Sequence, residues 1–268
     1  MRSTREGLLL AALVLGLAGC RTGTTFSTDS VAPSQPVIID GSTDDWHGNL
    51  FVEGERLEIG FFNDRENLYV CLPTKDNLLR AEILTEGLTV WFDPRGGTEE
   101  VFGIRFPLGL PPGKQKLALK ETPEGPTLKD LPKVPMTELE ILREKEPPRR
   151  MPVAEARGIE VKVLPTSERI VYELKIPLAV TKPHPFAVGT EPGKTIGVGF
   201  ESPKLEPSQM PRRRFGERRR TGGEPGEGGE GPGEGGAEAG EGGGHGYGGG
   251  FRRPEAMKIW ASVSLARG

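Results

Sequence analysis

Short apolar runs rich in β-branched and aromatic residues recur along the chain from Val37 onward, separated by Gly, Asp, Asn and Pro. Runs of this length and composition predict strands. They cover Leu57 to Phe62, Leu68 to Leu72, Leu88 to Phe92, Phe102 to Leu108, Ile159 to Leu164, Ile170 to Ile176, Thr195 to Phe200 and Met257 to Leu265. NDREN (Asn63 to Asn67) joins the first two runs as a hairpin turn, because Asn and Asp tolerate left-handed backbone. Helical periods do not alternate with these runs, so the pattern predicts an all-β sandwich rather than βαβ units.

Two long insertions interrupt the pattern. Residues 111–157 are Pro-rich and charged, with Met136 to Lys145 (MTELEILREK) reading as a short helix. Residues 203–250 pass through RRRFGERRR (Arg212 to Arg220) into Gly/Glu repeats. Such a tract has too little apolar surface to offset the entropy of ordering it, and is expected to be disordered. Met257 to Leu265 follows it, so it is a loop inside the domain rather than a tail. Residues 20–36, rich in Thr, Ser, Gly and Pro, read as a flexible tether, and residues 37–268 as the folded domain.

At the N-terminus Arg2 and Arg5 precede an apolar run from Leu8 to Leu17, then Leu17-Ala18-Gly19 and Cys20. This is the charged, apolar, small-residue order of a secretory signal, and the run is too short to span a bilayer. LAGC resembles the lipobox of bacterial lipoproteins. The resemblance implies a signal peptide over 1–19, fatty acyl chains such as palmitate on Cys20, and a membrane-anchored place in the cell envelope. Arg21 after the cysteine implies the outer membrane if the cell is Gram-negative. With Cys20 consumed, Cys71 is the remaining thiol, and its apolar setting LYVCL makes it a small buried hydrophobe.

Composition removes several function classes. Formal net charge is −3, which gives no basis for nucleic acid binding. The Arg cluster carries six Arg against Glu217, and the thirty residues after it hold six Glu, so the two blocks neutralise each other locally or the basic one meets anionic lipid or acidic polysaccharide. The histidines are His47, His184 and His245, with no Ser-His-Asp set or His-based metal cluster among them. No nucleophile elbow or phosphate loop occurs, and catalysis is not expected.

VIIDGSTDDWHG (Val37 to Gly48), NDRENLYV (Asn63 to Val70), GLTVWFDP (Gly87 to Pro94), and VYELKIPL followed by PGKTIGVGFE resemble, in this order, the family 9 carbohydrate-binding modules and their DOMON-like relatives. The resemblance implies an all-β antiparallel β-sandwich of jelly-roll or DOMON-like type, a sugar ligand and often structural calcium. It also admits haem binders and enzyme-accessory modules, because one fold serves several roles.

Side chains alternate across a strand, so periodicity nominates surface residues independently. Leu88, Val90 and Phe92 share one face, leaving Trp91 and Asp93 opposite. Trp260 and Lys258 oppose Ile259 and Ala261; Arg105 opposes Ile104 and Phe106; Glu173 and Lys175 oppose Tyr172, Leu174 and Ile176. An indole stacks on the C–H face of a sugar, while charged side chains take its hydroxyls. Trp91, Asp93, Arg105, Glu173, Lys175 and Trp260 are therefore candidates for ligand contact. The competing reading makes both indoles packing groups, with Trp260 filling the groove left by Gly197 and Gly199. Trp46 reads as a core anchor. Asp40, Asp44 and Asp45 pin the turn before it or supply oxygens to Ca²⁺. The expectation is a lipid-anchored saccharide-binding sandwich. Its rivals are a structural lipoprotein that contacts another envelope protein and a haem-binding or accessory module.

Overall fold

The computed structural model describes residues 24–53, 57–111, 113–122, 125–128, 130, 132–203 and 257–267. The signal segment, Cys20, the Arg cluster and the Gly/Glu tract lie outside the described residues. The elements are β1 (Thr24–Asp29), β2 (Leu50–Glu53), β3 (Leu57–Asn63), β4 (Asn67–Thr74), α1 (Asn77–Glu86), β5 (Thr89–Asp93), β6 (Phe102–Arg105), α2 (Gln115–Ala118), β7 (Leu119–Thr122), β8 (Gly125–Leu128), β9 (Glu138–Arg143), β10 (Glu146–Pro152), β11 (Glu160–Pro165), β12 (Ile170–Pro177), β13 (Thr195–Glu201) and β14 (Lys258–Ser264).

Among the described residues they form a β-sandwich. A seven-stranded sheet runs β1-β14-β13-β5-β6-β9-β10, a five-stranded sheet runs β11-β12-β4-β3-β2, and β7 and β8 pair beside α1. The apolar set of each strand turns inward. Leu88, Val90, Phe92, Ile104, Val198, Phe200 and Val263 from the first sheet meet Ile59, Phe61, Val70, Leu72, Tyr172 and Leu174 from the second. Phe61 and Phe200 come within 6.3 Å between ring centroids. Full burial of such side chains contributes about 1.5–3 kcal/mol each, which fixes the register because a one-residue slip would expose a whole row.

The chain links the sheets at its N-terminal end. β1 pairs in parallel with β14, so the sandwich is not wholly antiparallel. Val31 then bridges to Phe62 in the second sheet. A buried polar clasp holds this crossing: Ser30 Oγ donates to Asn63 Oδ1, and Asn63 Nδ2 donates to the Ala266 carbonyl at 3.0 Å. Residues 31–49 continue over the outer face of the five-stranded sheet, where Trp46 stacks on Phe62 at 4.7 Å.

Several expectations are corrected. Residues 24–29 of the expected tether form β1, because Thr and Phe suit a half-buried edge strand and Phe26 packs against the core. Residues 111–157 do not stand outside the core. The segment expected to be a helix, Met136 to Lys145, holds β9, whose Leu139 and Ile141 point inward and alternate with Glu138 and Glu140. Met151 of β10 is buried as well. The strand expected over Phe102 to Leu108 ends at Arg105. Helix α1 was not expected. Asp76 caps it by accepting from Leu79 N at 2.7 Å, Gly87 ends it with φ of 96°, and Leu79, Ile83 and Leu84 enter the core.

Candidate functional site

The outer face of the seven-stranded sheet carries one cross-strand row of unusual composition. Register places Thr25, Trp260, Gly199, Trp91 and Gly103 side by side on five successive strands. A Cβ on Gly103 would lie 2.6 Å from Trp91 Cε3, and one on Gly199 would lie 2.7 Å from Trp260 Cε2. Both indoles therefore lie flat on the sheet over a glycine, about 10 Å apart across two strand spacings. Trp91 is partly exposed, whereas Trp260 is only 4% exposed.

Charge lines this row. Trp91 Nε1 donates to Glu201 Oε2 at 2.9 Å, and Lys258 Nζ bridges Glu201 at 3.3 Å and Glu100 at 2.8 Å. Burial alone would lower the Lys258 ammonium, but Glu100 and Glu201 raise it above its ordinary value. The register continues Lys258, Glu201, Thr89, Arg105, Glu140, Arg150 across the sheet. Arg105 donates from Nη2 to the Glu86 carbonyl at 2.9 Å and lies 3.6 Å from Glu140. A flat indole beside such a row can stack on an apolar ring face and exchange hydrogen bonds at its edge.

The six candidates do not share one face. Trp91, Arg105 and Trp260 lie on this sheet, while Glu173 and Lys175 are on β12 of the other. Asp93 is on the Trp91 side but is buried, accepting from Arg95 N and Glu99 N at 3.0 Å each, so it pins the loop 94–100 rather than facing a ligand. Glu173 is wholly buried beneath residues 31–49. It accepts from Trp46 Nε1 at 2.7 Å, Gly41 N at 2.5 Å and Asp40 N at 3.0 Å. Burial raises its carboxyl above the ordinary value, and these donors offset only part of that. Lys175 pairs with Glu160 at 2.8 Å. Neither touches the indole row.

No family model and no curated protein matches the chain. The domain is similar to family 9 carbohydrate-binding modules. One such module from Caldicellulosiruptor kristjanssonii, solved with cellotriose, shares 12% identity over 70% of this chain and 80% of its own, with a TM-score of 0.34. Its glucose complex gives 12% identity, 70% and 82% coverage and a TM-score of 0.33. A Bacteroides uniformis protein with a proposed carbohydrate-binding role gives 12%, 68% and 84%, with a TM-score of 0.35. A likeness of this size does not bear on the ligand.

The Asp-rich turn is built from local hydrogen bonds. Asp40 Oδ1 accepts from Ser42 N at 2.7 Å, Asp45 Oδ2 accepts from Ile38 N at 2.9 Å, and the Asp44 carbonyl meets His47 Nδ1 at 2.5 Å. Among the described residues, no three His, Cys, Asp or Glu side chains are arranged to hold a metal. A cavity of about 390 Å³ lies beside the turn, lined by Val31, Gln35, Asp44, Asp45, His47 and Phe62, on the sheet opposite the indole row. Burial pushes the Cys71 thiol well above its usual value. Sequence reasoning missed Glu201 and Glu100. The alternation of IGVGFE puts Glu201 beside Gly197 and Gly199, so it was legible; Glu100 was not, because it reaches Lys258 from a loop.

Proposed function

We propose that the chain is a lipid-anchored envelope protein whose sandwich binds a saccharide on the outer face of the seven-stranded sheet, without catalysis. The observation that carries this reading is Trp91, flat over Gly103, partly exposed and fixed by its N–H on Glu201. A pyranose ring stacks there through its C–H face, and Glu201, Lys258 and Arg105 meet its hydroxyls. Residues 138–152 extend the same sheet as β9 and β10 instead of covering Trp91. The carboxylates of this face are engaged: Glu201 with Trp91 and Lys258, Glu140 with Arg105, and Asp93 with loop amides. That suits recognition rather than proton transfer. A glycan array probed with residues 21–268, followed by titration of each hit against Trp91→Ala, tests it. Binding lost in the variant supports the site, and an array without hits refutes the reading.

One observation favours a second reading, an interaction lipoprotein. Every charge of the row is paired within the chain, Lys258 with Glu201, Arg105 with Glu140 and Arg150 with Glu138, as on a face that another envelope protein covers. The anchor belongs to both readings and rests on LAGC at Cys20. Cys20→Ser should move the protein from the detergent phase to the aqueous phase. Unchanged partitioning, with no lipid mass on the wild-type N-terminal peptide, refutes the anchor.

A further inference from the structure

We infer that β1 is a short rigid mount that holds the sandwich against the bilayer by one corner, so that the indole row works in the membrane-proximal layer. The inference rests on the proposed lipidation of Cys20. β1 starts at Thr24, which pairs with Ile259 at the first turn of β14 into the sheet, and Thr25 pairs with Trp260. Only Arg21, Thr22 and Gly23 separate the cysteine from this strand. Four Cα steps reach at most about 14 Å when fully extended. A tether running from Cys20 to Val37 would reach about 60 Å by the same measure. The polar layer of one leaflet is about 5–8 Å deep, so the lipid keeps the Thr24 corner at the headgroups.

β1 is not free to peel away and restore the longer tether. It pairs with β14 along its whole length, Phe26 packs against the core, and the Ser30–Asn63–Ala266 clasp closes its far end. The partner of this corner is therefore the membrane surface itself. Across the mounted end lie Lys258, Glu201, Thr89, Arg105, Glu140 and Arg150, whose charges alternate. Contact is thus set by the covalent lipid and not by headgroup charge. Trp91 lies three strand spacings from β1, about 14 Å along the row. The saccharide it would take is one displayed close to the membrane.

The test uses full-length lipidated protein reconstituted in neutral phosphatidylcholine vesicles that contain a rhodamine-labelled lipid. A fluorophore is placed at exposed Thr25 (Thr25→Cys) or, as a far-end reference, at Lys145 (Lys145→Cys), with Cys71 buried and unreactive. Energy transfer should be at least twofold stronger from position 25 than from 145. A twenty-residue Gly/Ser spacer between Gly23 and Thr24, about 25 Å in root-mean-square length, should reduce transfer from position 25 severalfold. Phe26→Asp, which undocks β1, should reproduce the spacer's effect in a domain that still melts cooperatively. Lipid mass on Cys20 with equal transfer from both positions, or with no response to the spacer, overturns the mount alone. No lipid mass overturns the anchor and the mount together.

Discussion

Trp91→Ala separates a binding platform from a core residue most directly, with Trp46→Ala as its internal reference. Full burial of an indole takes about 150–250 Å² out of water. Trp46 is 0% exposed, stacks on Phe62 and donates to buried Glu173. At about 25 cal/mol per Å² its loss costs about 5 kcal/mol before the orphaned carboxylate is counted. Trp91 has one ring face on Gly103 and its other side partly open. Removing roughly half that area costs about 2–3 kcal/mol, with little added by a part-exposed N–H to Glu201. For a domain of this size the change lowers Tm by about 5–10 °C. Urea unfolding and calorimetric titration of an array-selected glycan, run on the same preparations, read both quantities. The expected result is a modest stability loss with affinity reduced tenfold or more, and partial affinity in Trp91→Phe, which keeps a stacking ring. A Trp91→Ala loss as large as that of Trp46→Ala refutes the platform, and unchanged affinity removes Trp91 from the site.

Two further outcomes follow from the same geometry. The folded Glu173 carboxyl titrates above its ordinary 4.5, so its contribution to stability is fully present below that value and declines as pH rises through the folded pKa. Glu173→Gln should flatten this stretch of the stability curve, and the same slope in wild type and variant between about pH 4 and 7 in urea unfolding would contradict the assignment. Gly197→Ala should cost about 2–3 kcal/mol because its Cβ would land on the backbone carbonyl of Gly97. Gly103→Ala meets the Trp91 side chain first, rather than backbone, so it should cost less while weakening glycan binding; the reverse order of stabilities sinks this account.

Strand existence was legible wherever one face is apolar and continuous, as in Leu57–Asn63, Ile170–Pro177 and Thr195–Glu201. Where local preference and period disagree, the outcome depends on what the segment packs against. In TELEILRE, Glu, Leu and Arg favour helix, yet Leu139 and Ile141 are two apart and both reach the core, so the period of two prevails. Helix α1 carried its own signals: Asp76 as cap, Gly87 as stop, and Leu79, Ile83 and Leu84 at helical spacing. β1 had no signal of this kind. TTFSTD is mostly polar, and only its long-range pairing with β14 makes it a strand.

The site was legible as faces and illegible as a sheet. Alternation placed Trp91, Trp260 and Glu173 each opposite an apolar set, and all three do point away from the sandwich interior. Periodicity assigns a side and not a sheet, and β12 pairs with β4 while β5 pairs with β13, so Glu173 stands on the far side of the protein from the indoles. Nor does an outward position guarantee exposure. Residues 31–49 cover the outer face of the five-stranded sheet, and a carboxylate there is stable because Trp46, Gly41 and Asp40 donate to it. The Asp-Gly turn and Trp46 of VIIDGSTDDWHG are thus the complement of Glu173, more than a hundred residues away. The opening stretch of the sugar-binding resemblance is in this chain the cover over a buried acid, and the partly exposed aromatic chemistry remains with Trp91.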